Sequence, residues 1–169
     1  FGRLCDAFNR MRNAIAEREE QILYQSKHDL LTDLPNRSAF QQIFNARIRA
    51  SESGCLLVVN IQHFRAINDR LGQRFGDQVL QEVAQRLRLL FPEAQQFARL
   101  AGDEFVLTTE RTPHNSAKLE QKLQQFAQGP WQIGGTSYRL EFRCGLVCYP
   151  QHGNDSDTLI RRAELAAHT

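Results

Sequence analysis

Two adjacent acidic residues in a short chain reversal are the first side chains whose types could do chemistry. Asp103 and Glu104 follow a glycine, and the apolar segments over 97–100 and 105–109 predict two short strands joined by a tight turn. Carboxylates at the tip of such a hairpin can face a ligand. A solvated polar turn has the same sequence pattern, so the pair alone does not identify a site.

The end of an apolar strand is the second candidate. Residues 55–61 form an apolar run rich in Val and Leu, and a helix is predicted over 64–72, so the strand leads through His63 into a helix N-terminus. Free backbone N–H groups and the helix dipole favour an anion such as phosphate at that position. An ordinary strand–helix corner would look the same in sequence.

An amide and a carboxylate on the following helices form the third candidate. Asn68 and Asp77 are nine positions apart, with Gly72 and Gly76 between them. If both side chains face one pocket, they can hydrogen bond to the edge of a guanine base, with the carboxylate accepting from its N1–H and N2–H groups. The pair alone does not specify a nucleotide.

The elements that would position these side chains are helices and short strands. Helices are predicted over 1–27, 37–50, 64–72, 76–90, 115–127 and 155–167, and strands over 55–61, 97–100, 105–109, 131–133 and 137–149. The last two strands are expected to form a hairpin across Gly134 and Gly135. Asn36 is expected to cap the second helix, and Asp155 or Asp157 the last. This order predicts an α+β fold, with a mixed central β-sheet flanked by helices.

The first helix has an apolar stripe. Its members recur at steps of four and three with one break at Arg18, and they are Leu4, Phe8, Met11, Ile15 and Ile22. This heptad pattern predicts a coiled-coil-type helix that pairs with a second copy of the chain. An amphipathic helix packed on its own domain is the alternative.

The composition limits the class of protein. With 169 residues, of which 41% are hydrophobic, the chain can bury one core, so one domain with an appendage is expected. Basic and acidic residues number 21 and 19, a balance that argues against a nucleic-acid partner, since such proteins usually have a clustered basic face. No apolar run approaches the length of a membrane span, and residues 1–12 do not resemble a signal peptide.

The four cysteines have no spacing typical of a metal site. Cys144 and Cys148 are separated by three residues inside an apolar segment, and Cys5 and Cys55 are remote from them in sequence. Structural, reduced thiols are therefore expected, which favours a cytoplasmic location.

Several segments together resemble the GGDEF family of bacterial cyclic-di-GMP signalling, in order and in spacing. They are residues 29–37, 59–69, 72–77, 99–105, 144–150 and 159–164. The resemblance implies a GGDEF domain over 28–169, with the nucleotide-cyclase or palm-like fold and a closing helix that is cut short. Residues 1–27 resemble the last helix of a HAMP linker, which joins a membrane receptor to its cytoplasmic output.

The resemblance also implies an activity. Active GGDEF domains are diguanylate cyclases, in which two antiparallel domains each hold one GTP. The ribose 3′-OH of each nucleotide attacks the α-phosphate of the other to give cyclic di-GMP, with Mg²⁺ or Mn²⁺ neutralising charge.

The resemblance implies a role for each residue of this chain that matches a functional position in the motifs of the family. Asn68 and Asp77 would bind guanine, and backbone N–H groups around His63, Phe64 and Arg65 would hold the β- and γ-phosphates.

The metal and catalytic positions carry over in the same way. Asp103, the side chain of Asn60 and the carbonyl of Ile61 occupy the metal-ligand positions, while Glu104 would assist at the reacting phosphates. The family has Asp where this chain has Asn60. Since Mg²⁺ gains most from anionic oxygens, this replacement removes on the order of a few kcal/mol of metal binding.

Other departures from the family pattern are smaller or lie outside this site. Gln62 stands where a second Asp is usual, Arg65 replaces Lys, and Ala101 replaces the first glycine. Residues 92–95 do not match the inhibitory product site of the family, so that site is expected to be absent. The phosphate-binding Lys and Arg of the closing helix would fall after Thr169.

The sequence therefore predicts a degenerate GGDEF domain that dimerises and binds GTP as a regulatory ligand. It would tune a neighbouring domain of the EAL type in the same chain, on the cytoplasmic side of an inner-membrane protein. Two alternatives stay open: an active diguanylate cyclase, and a dimerisation and relay domain without a nucleotide.

Overall fold

A four-stranded antiparallel sheet carries Asn60, Ile61 and Glu104 at its strand ends. The computed structural model describes residues 2–110 and 115–167. The helices are α1 (Gly2–Lys27), α2 (Arg37–Arg49), α3 (Phe64–Leu71), α4 (Gln73–Leu90), α5 (Asn115–Ala127) and α6 (Ser156–Ala167). The strands are β1 (Gly54–Ile61), β2 (Gln96–Ala101), β3 (Glu104–Glu110), β4 (Trp131–Ile133), β5 (Thr136–Tyr138) and β6 (Phe142–Tyr149).

The sheet order is β2-β3-β1-β6, which confirms the expected α+β class with helices on a central sheet. The three pairings between these strands are antiparallel. Parallel pairing occurs in the isolated bridge between Asn36 and Arg99. The sheet is thus less mixed in strand direction than the sequence suggested. Helices α3 and α4 lead the chain from β1 to the edge strand β2, which pairs antiparallel with β3.

Strand β1 is covered on both faces, as its continuous apolar run predicted. Residues at alternate positions, including Leu57 and Val59, belong to one core cluster with apolar residues of α4. Leu56 and Val58 face a second cluster with residues of α2 and α6. Only Asn60 is not fully buried in this strand, and it lies at the end that leads to the candidate site.

The hairpin expected over 131–149 is wrong in its second half. β4 pairs with the short β5 across Gly134 and Gly135, whose φ angles of 56° and 80° suit glycine. The chain then leaves this hairpin over 139–141, and β6 pairs with β1 in the main sheet. There Val147 and Tyr149 of β6 belong to one core cluster, and Leu146 packs against the other.

The helix ends follow the capping residues. Asn36 caps α2 by accepting from the N–H of Ala39 at 3.0 Å, as expected. Asp155 caps α6 through the N–H of Thr158 at 2.7 Å. Helix α4 begins at Gln73, three residues before the predicted start, because Gly72 with φ 94° both ends α3 and begins α4.

Helix α1 is confirmed, and none of its described residues is buried. The side chains of its apolar stripe are exposed by 78%, 61%, 58%, 55% and 60% at Leu4, Phe8, Met11, Ile15 and Ile22. The alternative of an amphipathic helix packed on its own domain is therefore wrong for this chain. Phe1 lies outside the described residues, as do His168 and Thr169. Among the described helices, none combines the length and apolar character needed to cross a membrane.

Candidate functional site

The two acidic residues of the reversal and the end of β1 form one unit. Asn60 lies opposite Glu104 in the β1–β3 pairing. The N–H of Ile61 donates to the carbonyl of Asp103 at 2.9 Å. The first two candidates of the sequence analysis therefore meet at one edge of the sheet.

Arg99 connects the reversal to the segment that follows α1 through hydrogen bonds. Its guanidinium donates to both carboxylate oxygens of Asp29 at 3.0 and 3.1 Å, and to the carbonyl of Gly102 at 2.9 Å. Burial works against ionisation of Asp29, but hydrogen bonds from Thr32 and Arg99 still hold its pKa below the usual value. Sequence reasoning placed Asp29 and Arg99 in motifs without assigning this contact, since their pairing depends on the tertiary fold.

Asn60 presents a neutral amide at the strand end beside the acidic reversal. Its side-chain oxygen accepts a hydrogen bond from the side-chain amide of Gln62 at 3.1 Å. Gln62 in turn is held by its N–H, which donates to the carbonyl of Glu141 at 2.8 Å. Both side chains at this strand end are uncharged, and each satisfies part of the other's hydrogen-bonding capacity.

Glu104 is in contact with a second carboxyl group. Burial, then a hydrogen bond with Glu164 of α6 and the charge of that residue, raise the pKa of Glu104 to about 7, and Arg37 opposes the shift. Two carboxyl groups that share a hydrogen bond hold one proton between them at pH values below this pKa, because two adjacent negative charges repel each other. Sequence reasoning missed Glu164 as part of the site, although the closing motif was the signal that contained it.

The guanine candidates lie on α3 and α4. The side-chain oxygen of Asn68 is buried and has no hydrogen-bond partner among the described residues. A Cβ added at Gly76 would overlap this oxygen and lie 2.8 Å from the side-chain carbonyl carbon. Gly76 thus makes room for the side chain of Asn68 beside Asp77. The oxygen of Asn68 is left as a buried acceptor without a donor among the described residues.

The loop between β1 and α3 has the features of an anion site. His63 precedes α3 in a left-handed conformation, with φ 58° and ψ 29°, and no side chain caps the helix there among the described residues. The first N–H groups of α3, at Phe64 and Arg65, are therefore not consumed by a cap. Nε2 of His63 lies 3.8 Å from the carboxylate of Glu141, and both side chains are exposed.

The donors near the hairpin fit a divalent cation poorly. The structure offers the carboxylate of Asp103 and the carbonyl of Ile61, while Asn60 is neutral and bonded to Gln62. Within residues 2–110 and 115–167, no group of three or more His, Cys, Asp or Glu side chains is arranged to hold a metal ion. Mg²⁺ prefers several anionic oxygens, which this arrangement supplies only in part.

Comparison with known proteins identifies the class to which this fold and site belong. The family described as "Diguanylate cyclase, GGDEF domain" matches residues 26–169. The chain belongs to this GGDEF family, and the resemblance drawn from the motifs is confirmed.

Two similar curated relatives come from Pseudomonas aeruginosa. Cyclic di-GMP phosphodiesterase NbdA is 31% identical over 166 residues, covering 95% of this chain and 21% of the relative. Bifunctional diguanylate cyclase/cyclic di-GMP phosphodiesterase MucR is 32% identical over 163 residues, covering 94% of this chain and 24% of the relative. The chain thus spans a quarter or less of the length of these two proteins.

Solved structures agree with the fold. The GGDEF domain of TpbB from Pseudomonas aeruginosa has a TM-score of 0.74 at 30% identity, covering 83% of this chain and 86% of that one. The coiled coil and GGDEF domain of DgcB from Caulobacter crescentus, in complex with c-di-GMP, has a TM-score of 0.78 at 24% identity. That comparison covers 99% of this chain and 91% of the other, so the overall path of the chain, α1 included, is shared.

Proposed function

We propose that this GGDEF domain is a degenerate, regulatory module that binds GTP between α3 and α4 and converts it poorly. The observation that carries the proposal is the neutral side-chain amide of Asn60. Its oxygen accepts a hydrogen bond from Gln62, and the residue lies opposite Glu104 in the β1–β3 pairing. A position that needs negative charge for metal-assisted chemistry is neutral here.

The energetic argument concerns metal affinity. At an effective dielectric constant of about 20, one charge a few Å from a divalent cation contributes on the order of a few kcal/mol. Asp103 alone does not replace that contribution. The protonated share of Glu104, whose pKa is raised to about 7, lowers the negative charge near the hairpin further at neutral pH.

Guanine recognition is supported separately. The oxygen of Asn68 is buried beside Gly76 and lacks a donor within the described part of the chain, which a base with its own N–H groups would supply once the Asn68 side chain turns towards it. The carboxylate of Asp77, on the next position of α4, would accept from the guanine N1–H and N2–H groups. Adenine presents the opposite pattern at its N1 position and would leave these acceptors unpaired.

Dimerisation through α1 is part of the proposal. The stripe from Leu4 to Ile22 is exposed in one chain and has heptad spacing, which suits a second copy of the same helix. The likeness to the coiled coil and GGDEF domain of DgcB supports a similar placement of this helix. In this account residues 1–27 are a signalling helix of the HAMP type.

The partner domain is inferred from the relatives. NbdA is named as a cyclic di-GMP phosphodiesterase and MucR as a bifunctional enzyme, and each is several times longer than this chain. A phosphodiesterase domain of the EAL type in the same protein is therefore proposed as the target of regulation. The parent protein would sit at the inner membrane, with this domain in the cytoplasm.

An active diguanylate cyclase is the second candidate. Asp103 and Glu104 are both present at the reversal. The backbone hydrogen bond from the N–H of Ile61 to the carbonyl of Asp103 holds the reversal next to the end of β1. If one ion bound by Asp103 sufficed, the domain would turn over GTP without a change at Asn60.

Calorimetric titration with GTP and with ATP, followed by chromatography for cyclic di-GMP, tests the proposal. The expected result is saturable binding of GTP, weaker binding of ATP, and little or no cyclic di-GMP in the presence of Mg²⁺ or Mn²⁺. Equal affinity for the two nucleotides would refute specific guanine binding, and rapid formation of cyclic di-GMP would favour the active cyclase.

A further inference from the structure

Two cysteines that are remote in sequence lie side by side on β1 and β6. Cys55 and Cys148 are directly opposite each other in the strand register. Their sulfur atoms are 3.2 Å apart, within hydrogen-bond distance, and the two cysteines are not joined by a disulfide. Cys55 is 4% exposed, whereas Cys148 is partly exposed at the edge strand.

The backbone of Cys148 defines the type of strand pair. Its N–H donates to Nδ1 of His152 at 2.8 Å, and its carbonyl accepts from the N–H of His152 at 2.9 Å. Both groups therefore point away from β1, so Cys55 and Cys148 form a non-hydrogen-bonded pair. In such a pair the Cα atoms are about 4.5 Å apart and the side chains lie close together.

This spacing lies within the range of disulfide-bonded cysteines, whose Cα atoms are about 4.4–6.8 Å apart. An S–S bond of about 2.05 Å requires the two sulfurs to approach by about 1 Å, which side-chain rotation can supply. No change of strand register is needed.

We propose that Cys55 and Cys148 are a redox-active pair, converted to a cross-strand disulfide by a small-molecule disulfide such as oxidised glutathione. The thiolate of Cys148 attacks one sulfur of the oxidant, which forms a mixed disulfide and releases one glutathione as its thiolate. The thiolate of Cys55 then attacks the sulfur of Cys148, and the second glutathione leaves. Two protein thiols are oxidised and one glutathione disulfide is reduced to two glutathione thiolates, which take up the two protons that the protein thiols release.

The order of attack follows from exposure. Cys148 is the accessible member of the pair and takes the first step, while the buried Cys55 resolves the mixed disulfide. Cys144 lies four residues earlier on the same strand face, opposite Val59, so no second thiol faces it across the strand pair. Burial raises the pKa of the Cys144 thiol to about 11, which leaves less reactive thiolate.

The disulfide would join residues 93 positions apart. It would tie β1 to β6 at the strand end remote from Asn60, so the candidate nucleotide site is not blocked. Closing so long a loop restricts the unfolded chain, and the oxidised protein should melt about 5–15 °C higher than the reduced protein.

The experiment incubates the folded protein, carrying Cys5→Ser to prevent links between copies, with oxidised glutathione. Remaining thiols are alkylated, and peptides are mapped by mass spectrometry without reduction. The expected result is loss of two thiols, a peptide pair linked through Cys55 and Cys148, and the rise in melting temperature. Cys144→Ser is the matched control and should form the same link.

The single variants test the order of steps. Cys55→Ser should accumulate glutathione on Cys148, and Cys148→Ser should take up none at Cys55. Should either variant fail to fold by circular dichroism, the peptide map of the protein with both cysteines still decides. Retention of both thiols, a link that forms only after denaturation, or glutathione found only on Cys144 would overturn the proposal.

Discussion

Asn60 on β1 lies directly opposite Glu104 on β3, at the edge where the strand leads into α3. The amide oxygen of Asn60 is engaged by Gln62, and Glu104 shares a hydrogen bond with Glu164. The pair therefore carries less negative charge near neutral pH than the acidic reversal suggests.

Replacing either guanine candidate should weaken GTP binding. Asn68→Ala or Asp77→Ala should each cost about 1–3 kcal/mol, because polar groups of the base would be left unpaired in a specific pocket. Calorimetry with GTP measures the effect. Asp69→Ala, at an exposed neighbouring position of α3, is the matched control and should bind GTP as the unchanged protein does.

A methyl group at Gly76 should disturb the same pocket without removing a polar group. Alanine normally stabilises a helix relative to glycine by about 1 kcal/mol. At Gly76 its Cβ would overlap the side-chain oxygen of Asn68, so Asn68 must move. Gly76→Ala should therefore weaken GTP binding by about tenfold or more, which corresponds to about 1.4 kcal/mol.

The exposed residue Gln73, on the first turn of the same helix, supplies the control. Gln73→Ala should leave GTP affinity unchanged. Undiminished affinity in Gly76→Ala would show that the position of Asn68 does not matter for binding.

The stripe on α1 should drive self-association. Phe8→Lys or Met11→Lys places a charge on the heptad seam, and sedimentation should show a shift towards monomer. Asn9→Lys adds the same charge at an exposed position off the seam and should leave the association unchanged. An unchanged protein that is monomeric at high concentration would contradict the coiled-coil prediction for this chain.

Stability should depend on pH through Glu104. Its pKa is raised from 4.5 to about 7, so the folded protein holds a proton that the unfolded chain has already released. The resulting stabilisation is complete below the unfolded value and is lost as pH rises through about 7. The melting temperature of the unchanged protein should therefore fall relative to that of Glu104→Gln between about pH 5 and about pH 8.

Glu17→Gln, on the exposed face of α1, is the control and should follow the pH profile of the unchanged protein. Parallel profiles for the unchanged protein and Glu104→Gln would mean that the carboxyl pair with Glu164 does not titrate in this range.

Local patterns predicted much of the fold. The central strand, the Asn36 cap and the bounds of α2 and α5 depend on neighbouring residues, so sequence alone was sufficient for them. The division between β5 and β6 was missed, because residues 139–141 contain neither glycine nor proline and the choice of partner strand is tertiary. The same reason hid the contact of Glu104 with Glu164 and that of Arg99 with Asp29.

The candidate site also has features that the sequence could predict and features that depend on tertiary contacts. The resemblance to the family grouped the reversal with the end of β1, and the backbone hydrogen bond between Ile61 and Asp103 brings these two segments together. The hydrogen bond between the side chains of Asn60 and Gln62 could not be predicted from sequence. An asparagine with a free side-chain amide and one whose amide is hydrogen bonded are the same residue in the sequence.

The central claim is that the charge missing at Asn60 limits catalysis. The most direct measurement is the rate of cyclic di-GMP formation from GTP, with Mg²⁺ or Mn²⁺, by the longer parent protein proposed above. We expect little or no product from the unchanged protein. Asn60→Asp should raise the rate by at least about tenfold, the equivalent of 1.4 kcal/mol of barrier.

Two control variants make the result specific. Asn60→Ala keeps the position neutral and should not gain activity. Asp103→Ala, added to Asn60→Asp, should abolish the activity that Asn60→Asp gains. Rapid turnover by the protein with Asn60 intact, unchanged by Asn60→Asp, would contradict the account and identify the domain as an active cyclase.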